Sequence, residues 1–433
     1  MRKTQLAAFG ILAFTLATQA QGQATRFKFA FGPGKTDAGF TQVLPDMRYS
    51  AERGFGFEPG ASVTGIQRGD TGLMTSEKPF LFSVAVPEGS YQVTVTLGDP
   101  QGESKTTVKA ELRRLFVEKA HLASGKTQSY TFNVNVRTPQ IPGGSQVRLK
   151  PRETQNEAKA WDDKLTLEFD DEKPCVQSIE IHPVNNLPVV YVCGDSTVCD
   201  QPGENNASWG QMLTRFFKPD VVIANHGESG ESLRGFLGER RWEKVMSLLK
   251  PGDYVIVQMG HNDEKERGEG VGAMTTYKAD LKRFVADTRS KGATPIIVSP
   301  MERRSFDGTK ARQTHVSQYG DVPEAVRQLA REDNVACIDL SRLSMVFYEA
   351  LGPEKAPLAF AGQGERRDAT HHDNYGAYEL AKMITQGIKD NKLDLAKSIV
   401  DDFKDFDPAK PDDVESFTMP VGPSRVTDQP LGS

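Results

Sequence analysis

A single break in texture, near residue 187, constrains this chain more than anything else in it. Before the break, short runs alternate apolar and polar residues, as in Tyr91-Gln92-Val93-Thr94-Val95-Thr96-Leu97. Successive side chains of a strand point to opposite faces, so a period of two marks a half-buried strand. Runs of the same kind at 27–31, 81–86, 129–136, 147–149, 165–169 and 179–181 are separated by Gly, Pro and Asn, with no long helical stripe between them. Short punctuated strands in series predict an all-β domain, a sandwich or jelly roll, over residues 23–184.

After the break, apolar runs at 189–193, 221–224, 254–259, 295–299 and 335–340 lose the alternation, the mark of strands buried on both faces. Between them apolar residues recur at helical spacing. One set is Trp209, Met212, Leu213 and Phe216; another is Tyr277, Leu281, Phe284, Val285 and Thr288, stopping at Gly292; a third runs from Pro323 through Val326 and Leu329. Strand and helix in alternation predict an α/β domain, a parallel sheet covered by helices, over residues 185–397. Residues 398–433 are acidic and proline-rich and cannot build a core of their own; they are expected to lie extended on the body or to be partly disordered.

Two features of the whole chain limit its function. Lys and Arg number 53 against 58 Asp and Glu, a net charge of −5, which speaks against nucleic acid or an anionic membrane as the main partner. Arg2 and Lys3 precede an apolar stretch over 6–17, followed by small residues around Gln19. That layout predicts a secretory signal peptide over residues 1–22, and a product exported to the periplasm or the extracellular space. The stretch is too short for a membrane span, and no later one approaches the needed length. Export permits disulfides. Cys193 and Cys199 are spaced to pair around a turn, whereas Cys337 lies in an apolar run and reads as a small buried hydrophobe; mostly reduced cysteines are expected. Neither CxxC nor HExxH occurs, and the sequence calls for no cofactor and no metal. Gly32-Pro33-Gly34-Lys35-Thr36 imitates the end of a phosphate-binding loop, but Phe29 stands where its first glycine belongs.

Four loops carry the chemistry. Gly194-Asp195-Ser196-Thr197 follows the first parallel strand, at the sheet edge where ligands bind, and places a serine on a sharp turn. The run from Asn225 to Ser232 follows the second strand and supplies Gly227 and Gly230, whose bare backbone N–H groups can approach a ligand. Gly260-His261-Asn262-Asp263 follows the third, where the Asn262 amide can face a developing negative charge. Asp368-Ala369-Thr370-His371 puts a carboxylate three residues before a histidine, in reach of its Nδ1. Each block alone is also ordinary turn chemistry. Together they supply a nucleophile, an oriented base and oxyanion donors, a complete acyl-transfer site. Met301-Glu302-Arg303-Arg304 follows the fourth strand, so Arg303 or Arg304 is a candidate contact for substrate carboxylates.

The blocks GDST, NHGESGES, GHND and DATH resemble those of the SGNH, or GDSL-like, hydrolase superfamily, and are most similar to the rhamnogalacturonan acetylesterases. Trp209 and the run Gly376-Ala377-Tyr378 share the likeness, which covers roughly residues 187–390. The resemblance implies a flavodoxin-like three-layer fold and metal-free ester hydrolysis. It assigns Ser196 as nucleophile, His371 as general base and Asp368 as its orienter, with the N–H groups of Ser196 and Gly230 and the Asn262 side chain forming the oxyanion hole. Gly227 is a second candidate, His261 and Asp263 are expected to brace their loop, and His372 stands where relatives carry an apolar residue. The implied partner is acetylated plant cell-wall polysaccharide, with acetylated xylan, an O-acetyl sialic acid or a non-catalytic glycan-binding role as alternatives. Residues 29–34 and Gly54-Phe55-Gly56-Phe57 resemble a galactose-binding-like domain, expected either to bind glycan or to shield and shape the catalytic domain.

Overall fold

A computed structural model describes residues 26–422 apart from 205, 364 and 365; the expected signal peptide and the end of the acidic tail lie outside these residues. Up to Pro183 the chain builds two large sheets and one short hairpin, Gln140–Ile141 with Ser145–Gln146. In the first, Gln128–Val136, Gly89–Leu97, Cys175–Pro183, Phe27–Phe31 and Thr41–Val43 lie side by side in that order, and the hairpin Thr64–Arg68 with Thr71–Thr75 joins Cys175–Pro183. The second runs Phe55–Phe57, Phe80–Ala85, Lys164–Lys173, Ser104–Ala110, Arg114–Leu122. Pairing is antiparallel except between Phe27–Phe31 and Thr41–Val43. The two sheets share one core, where Phe29, Phe31, Phe57 and Phe82 meet edge to face or tilted. The alternation in Gly89–Leu97 does what its period requires: Tyr91, Val93, Val95 and Leu97 point into that core. On the other face Thr94 and Thr96 pair across the strand with Thr131 and Ser129, each at 2.9 Å.

Residues 147–149, expected as a strand, are not one. The Val147 N–H goes back to the Pro139 carbonyl at 2.8 Å, and the Arg148 N–H donates to Glu239 of the following region at 2.9 Å. Pro151 then opens a short 3-10 turn, Pro151–Thr154. The apolar side chains that suggested a strand serve a seam instead: Val147 packs with Leu112, Ile141, Ala160 and Trp161 in a cluster of its own.

The second region is a five-stranded sheet in the order Val222–Asn225, Val189–Gly194, Tyr254–Gln258, Thr294–Val298, Ala336–Ile338, with every pair parallel. Both faces are covered, which is why its strands lack alternation. Val190 and Val192 pack toward the layer of Trp209–Leu213, Leu340–Lys355 and Asn374–Asp390. Tyr191 and Cys193 pack toward the layer holding Leu233–Gly238, Arg241–Leu248, Lys278–Ser290 and Val322–Asp333. Helix ends follow local chemistry. Asp321 and Asp373 accept the N–H groups of Glu324 (2.8 Å) and Gly376 (3.1 Å), and Gly292, at φ +72°, ends the stretch after Lys278–Ser290. The strand order leaves the first strand between the second and third, so the loop after it is flanked by the loops after both.

The acidic tail, as far as it is described, runs along this body. Ile399 is buried, Phe403, Phe406, Phe417 and Met419 pack on the core, and Lys218, Arg215, Lys389 and Lys382 pair with Asp401, Asp402, Asp405 and Asp412. The seam between the two regions is rich in charge. Arg113, at φ +63° in the turn before Arg114–Leu122, donates to the carbonyls of Gln201 (3.2 Å), Asn206 (3.0 Å) and Gly203 (2.5 Å). Arg114 pairs with Asp200 at 2.7 Å, and all four cysteines are free thiols.

Candidate active site

Gly194 ends the first parallel strand because the chain must fold back tightly there; a Cβ on it would lie 2.3 Å from the Val198 side chain. The turn that follows is held by Asp195, whose Oδ1 accepts the Thr197 N–H at 2.9 Å and hydroxyl at 2.7 Å. Gln258, at the end of the third strand, donates to the Thr197 hydroxyl at 2.7 Å and accepts the Trp209 indole N–H at 2.7 Å. Gln201 donates to the Ser196 carbonyl at 2.6 Å. With its backbone fixed on both sides, Ser196 is buried and presents its Oγ 2.8 Å from His371 Nε2.

His371 lies in the short strand Arg366–His372, paired with Phe360–Gln363. Its Nδ1 is 2.9 Å from Asp368 Oδ2, while Asp368 Oδ1 accepts the N–H groups of Thr370 (2.6 Å) and His371 (3.0 Å). Burial pushes the Asp368 carboxyl up, but the bond and charge of His371 and the two backbone N–H groups outweigh it and hold the carboxyl well below the usual range. Asp368 is therefore ionised, and it selects the tautomer in which Nδ1 carries the proton and Nε2 is free to take one. Arg304 supports the turn from the fourth strand: its N–H donates to the Ala369 carbonyl at 2.7 Å, and its guanidinium to the carbonyls of Arg367 and Asp368 at 3.3 and 3.2 Å.

The other histidine of the pair is directed elsewhere. His372 Nε2 lies 3.0 Å from the Tyr348 hydroxyl, its ring packs 4.3 Å from that of Phe360, and burial pushes its pKa down to about 3. Asp373 caps a helix. His261 faces Asp195 at 3.3 Å and stands edge-on to His315, with burial pushing it down to about 4. Asp263 accepts the Leu233 N–H at 2.8 Å. The arginines suggested as substrate contacts are already engaged, Arg304 with the Asp368 turn and Arg303 with Glu264 at 2.5 Å.

Three donors remain unspent. Gly227, the alternative to Gly230, gives its N–H to Asn225 Oδ1 at 3.1 Å. Among the described residues, the N–H groups of Ser196 and Gly230 have no acceptor. Asn262 spends one amide hydrogen on the Glu231 carbonyl at 2.9 Å, which leaves the second. Gly230 sits at φ +78°, a conformation open to glycine. Its loop reaches the Ser196 turn through Gln201, whose Nε2 lies 3.3 Å from Ser229 Oγ. Sequence reasoning did not find Gln201, Gln258 or the supporting role of Arg304. Of these only Gln258 leaves a visible mark, a polar residue closing an apolar strand.

A serine bound to a carboxylate-held histidine at the carboxyl edge of a parallel sheet is the constellation of a serine ester hydrolase, and this chain is one. It belongs to the GDSL-like lipase/acylhydrolase family, whose model matches residues 192–373; a beta-agarase/YXIM esterase-like, galactose-binding domain-like model matches residues 27–141. Rhamnogalacturonan acetylesterase RhgT of Bacillus subtilis (strain 168) is 35% identical over 222 residues, 49% of this chain and 94% of its own length. The uncharacterized esterase YxiM of the same strain is 26% identical over 376 residues, 84% of this chain and 90% of its own. The crystal structure of the Bacillus subtilis YxiM protein is similar with a TM-score of 0.44 at 22% identity, covering 86% of this chain and 99% of that one.

Proposed function

We propose that the protein is an exported carbohydrate O-acetylesterase that removes acetyl groups from pectic polysaccharide of the rhamnogalacturonan type by a Ser-His-Asp acyl-enzyme mechanism. The observation that carries the reading is the relay itself: Ser196 Oγ 2.8 Å from His371 Nε2, and His371 Nδ1 2.9 Å from a carboxylate held ionised. Ser196 Oγ attacks the acetyl carbonyl as His371 Nε2 takes its proton. Asp368 stabilises the imidazolium without taking the proton itself. The oxyanion of the tetrahedral intermediate lies among the N–H groups of Ser196 and Gly230 and the free amide hydrogen of Asn262. Collapse breaks the bond to the sugar oxygen, which receives the proton from His371. Water, deprotonated by the same nitrogen, then attacks the acetyl-serine; the bond to Ser196 Oγ breaks as His371 returns the proton to that oxygen, and acetate leaves.

The substrate class is supported by the name of the relative RhgT, and export by the charged and apolar layout of residues 1–22. The test is acetate release from acetylated rhamnogalacturonan-type pectin and acetylated xylan, by the wild type and by Ser196→Ala with an unchanged melting curve. Preference for the pectin, and loss of essentially all release in the variant, are expected. Preference for xylan would reassign the substrate, and an active variant would end the mechanism.

A further inference from the structure

The seam between the two regions closes on the loop that carries Gly230. Lys150 is the last residue before the turn Pro151–Thr154, and its N–H donates to Glu153 Oε2 at 2.7 Å. Glu153 is in turn gripped by both terminal nitrogens of Arg241, at 2.9 and 2.6 Å, with both side chains buried. From this anchored turn, Lys150 Nζ and Arg152 Nη2 both donate to one atom, the carbonyl oxygen of Ser229, each at 2.7 Å. Carboxylates of the same loop complete the grip, Glu231 beside Lys150 and Glu228 beside Arg152.

The Ser229 carbonyl and the Gly230 N–H belong to a single peptide group. That group is planar and trans, so its oxygen and its hydrogen point in opposite directions, and fixing one fixes the other. A carbonyl that accepts two charge-assisted bonds is also polarised, which makes the N–H across the same amide a stronger donor. An interface ion pair would need only the carboxylates of Glu228 and Glu231. Convergence of two cations on a neutral carbonyl goes beyond that need. Nor is the loop remote from the reacting serine, because Gln201 bridges Ser229 Oγ and the Ser196 carbonyl.

We infer that Lys150 and Arg152 are positioning residues of ester hydrolysis, supplied from the β-rich side of the seam to set the direction and strength of the Gly230 oxyanion donor. This rests on the acyl-enzyme reading above. It makes the N-terminal region part of the esterase machinery, whether or not that region also binds glycan.

The experiment compares full-length wild type with Lys150→Met, Arg152→Gln and the double variant on an activated aryl acetate and on its thionoacetate counterpart. A thiocarbonyl sulfur is a poor acceptor and gains little from an oxyanion donor, so the oxygen-over-sulfur rate ratio reads the donor directly. Each single variant is expected to lower kcat about tenfold and the double about a hundredfold, with KM within about twofold and the ratio shrinking alongside kcat. A wild-type kcat, or a fall in kcat with the ratio unchanged, would overturn the proposal. Where Arg152→Gln melts early, Arg152→Lys decides, assayed below both melting midpoints. Recovery of kcat and ratio supports the positioning role, and no recovery overturns it. Ser196→Ala run alongside separates the two readings: if it is active the mechanism itself falls, and if it is inactive while the cation variants behave as wild type, only the positioning role falls.

Discussion

Two carboxylates of the loops gathered around Ser196 are driven in opposite directions by their surroundings. Asp368 accepts three N–H groups, and its charge is worth keeping despite burial. Its folded pKa is depressed, so its contribution to stability is present above the ordinary carboxylate value and is lost as pH falls toward the folded one. Asp368→Asn keeps the size but removes the charge that selects the Nδ1–H tautomer; kcat should fall about 10⁴-fold at neutral pH with little change in KM, measured on an activated acetate ester. Asp263 is the reverse case. One oxygen caps Leu233, the other finds no donor, and burial, with the charges of Glu266 and Asp195 adding to it, pushes the carboxyl up to about 8. The folded state then holds a proton that the unfolded state has released, so stability drops as pH rises from about 4 to about 8. Asp263→Asn keeps the cap and carries no charge. Its melting midpoint should exceed that of the wild type above about pH 8, the gap closing toward about pH 4. At this scale the sequence is most legible where partners are close along the chain. Asp368 and His371 are three residues apart and can be paired on paper. Lys150 and Arg152 lie 79 and 77 positions from Ser229 and belong to no periodic pattern, so nothing local distinguishes them from solvated surface charges.

At the scale of elements, periodicity predicts well where one face meets a core and fails where a segment meets a seam. The strand Gly89–Leu97 and the helix Val322–Asp333 follow their apolar spacing because the sheet core and the sheet face supply regular surfaces. Residues 147–149 carry strand-like side chains, but their backbone bonds go to Pro139 and Glu239, a partner in the other region that no local pattern announces. The turn Pro151–Thr154 and the helix Arg241–Leu248 are joined by the buried fork of Arg241 on Glu153. Removing one partner of such a pair leaves the other charge uncompensated. Arg241→Met is therefore expected to cost ~3–5 kcal/mol in urea denaturation. A cost under about 1 kcal/mol would mean that the fork does not hold the seam.

Across the whole molecule, the net charge of −5 hides a concentration of cations turned inward. Arg113 and Arg114 hold the segment between Ser196 and Trp209, while Lys150 and Arg152 hold the loop of Gly230. The two regions thus meet at the loops of Ser196 and Gly230, and the similarity to YxiM over 84% of the chain spans both of them. The parallel sheet contributes by its strand order, which flanks the Ser196 turn with the Gly230 and Asn262 loops. Ser196 is expected to carry the acyl group in turnover. Rapid quenching during hydrolysis of an activated acetate ester, followed by peptide mass mapping, tests it most directly. A single acetyl group is expected on the peptide containing Ser196, absent in Ser196→Ala; turnover with no acetyl on Ser196, or with the acetyl on another residue, would rule that role out.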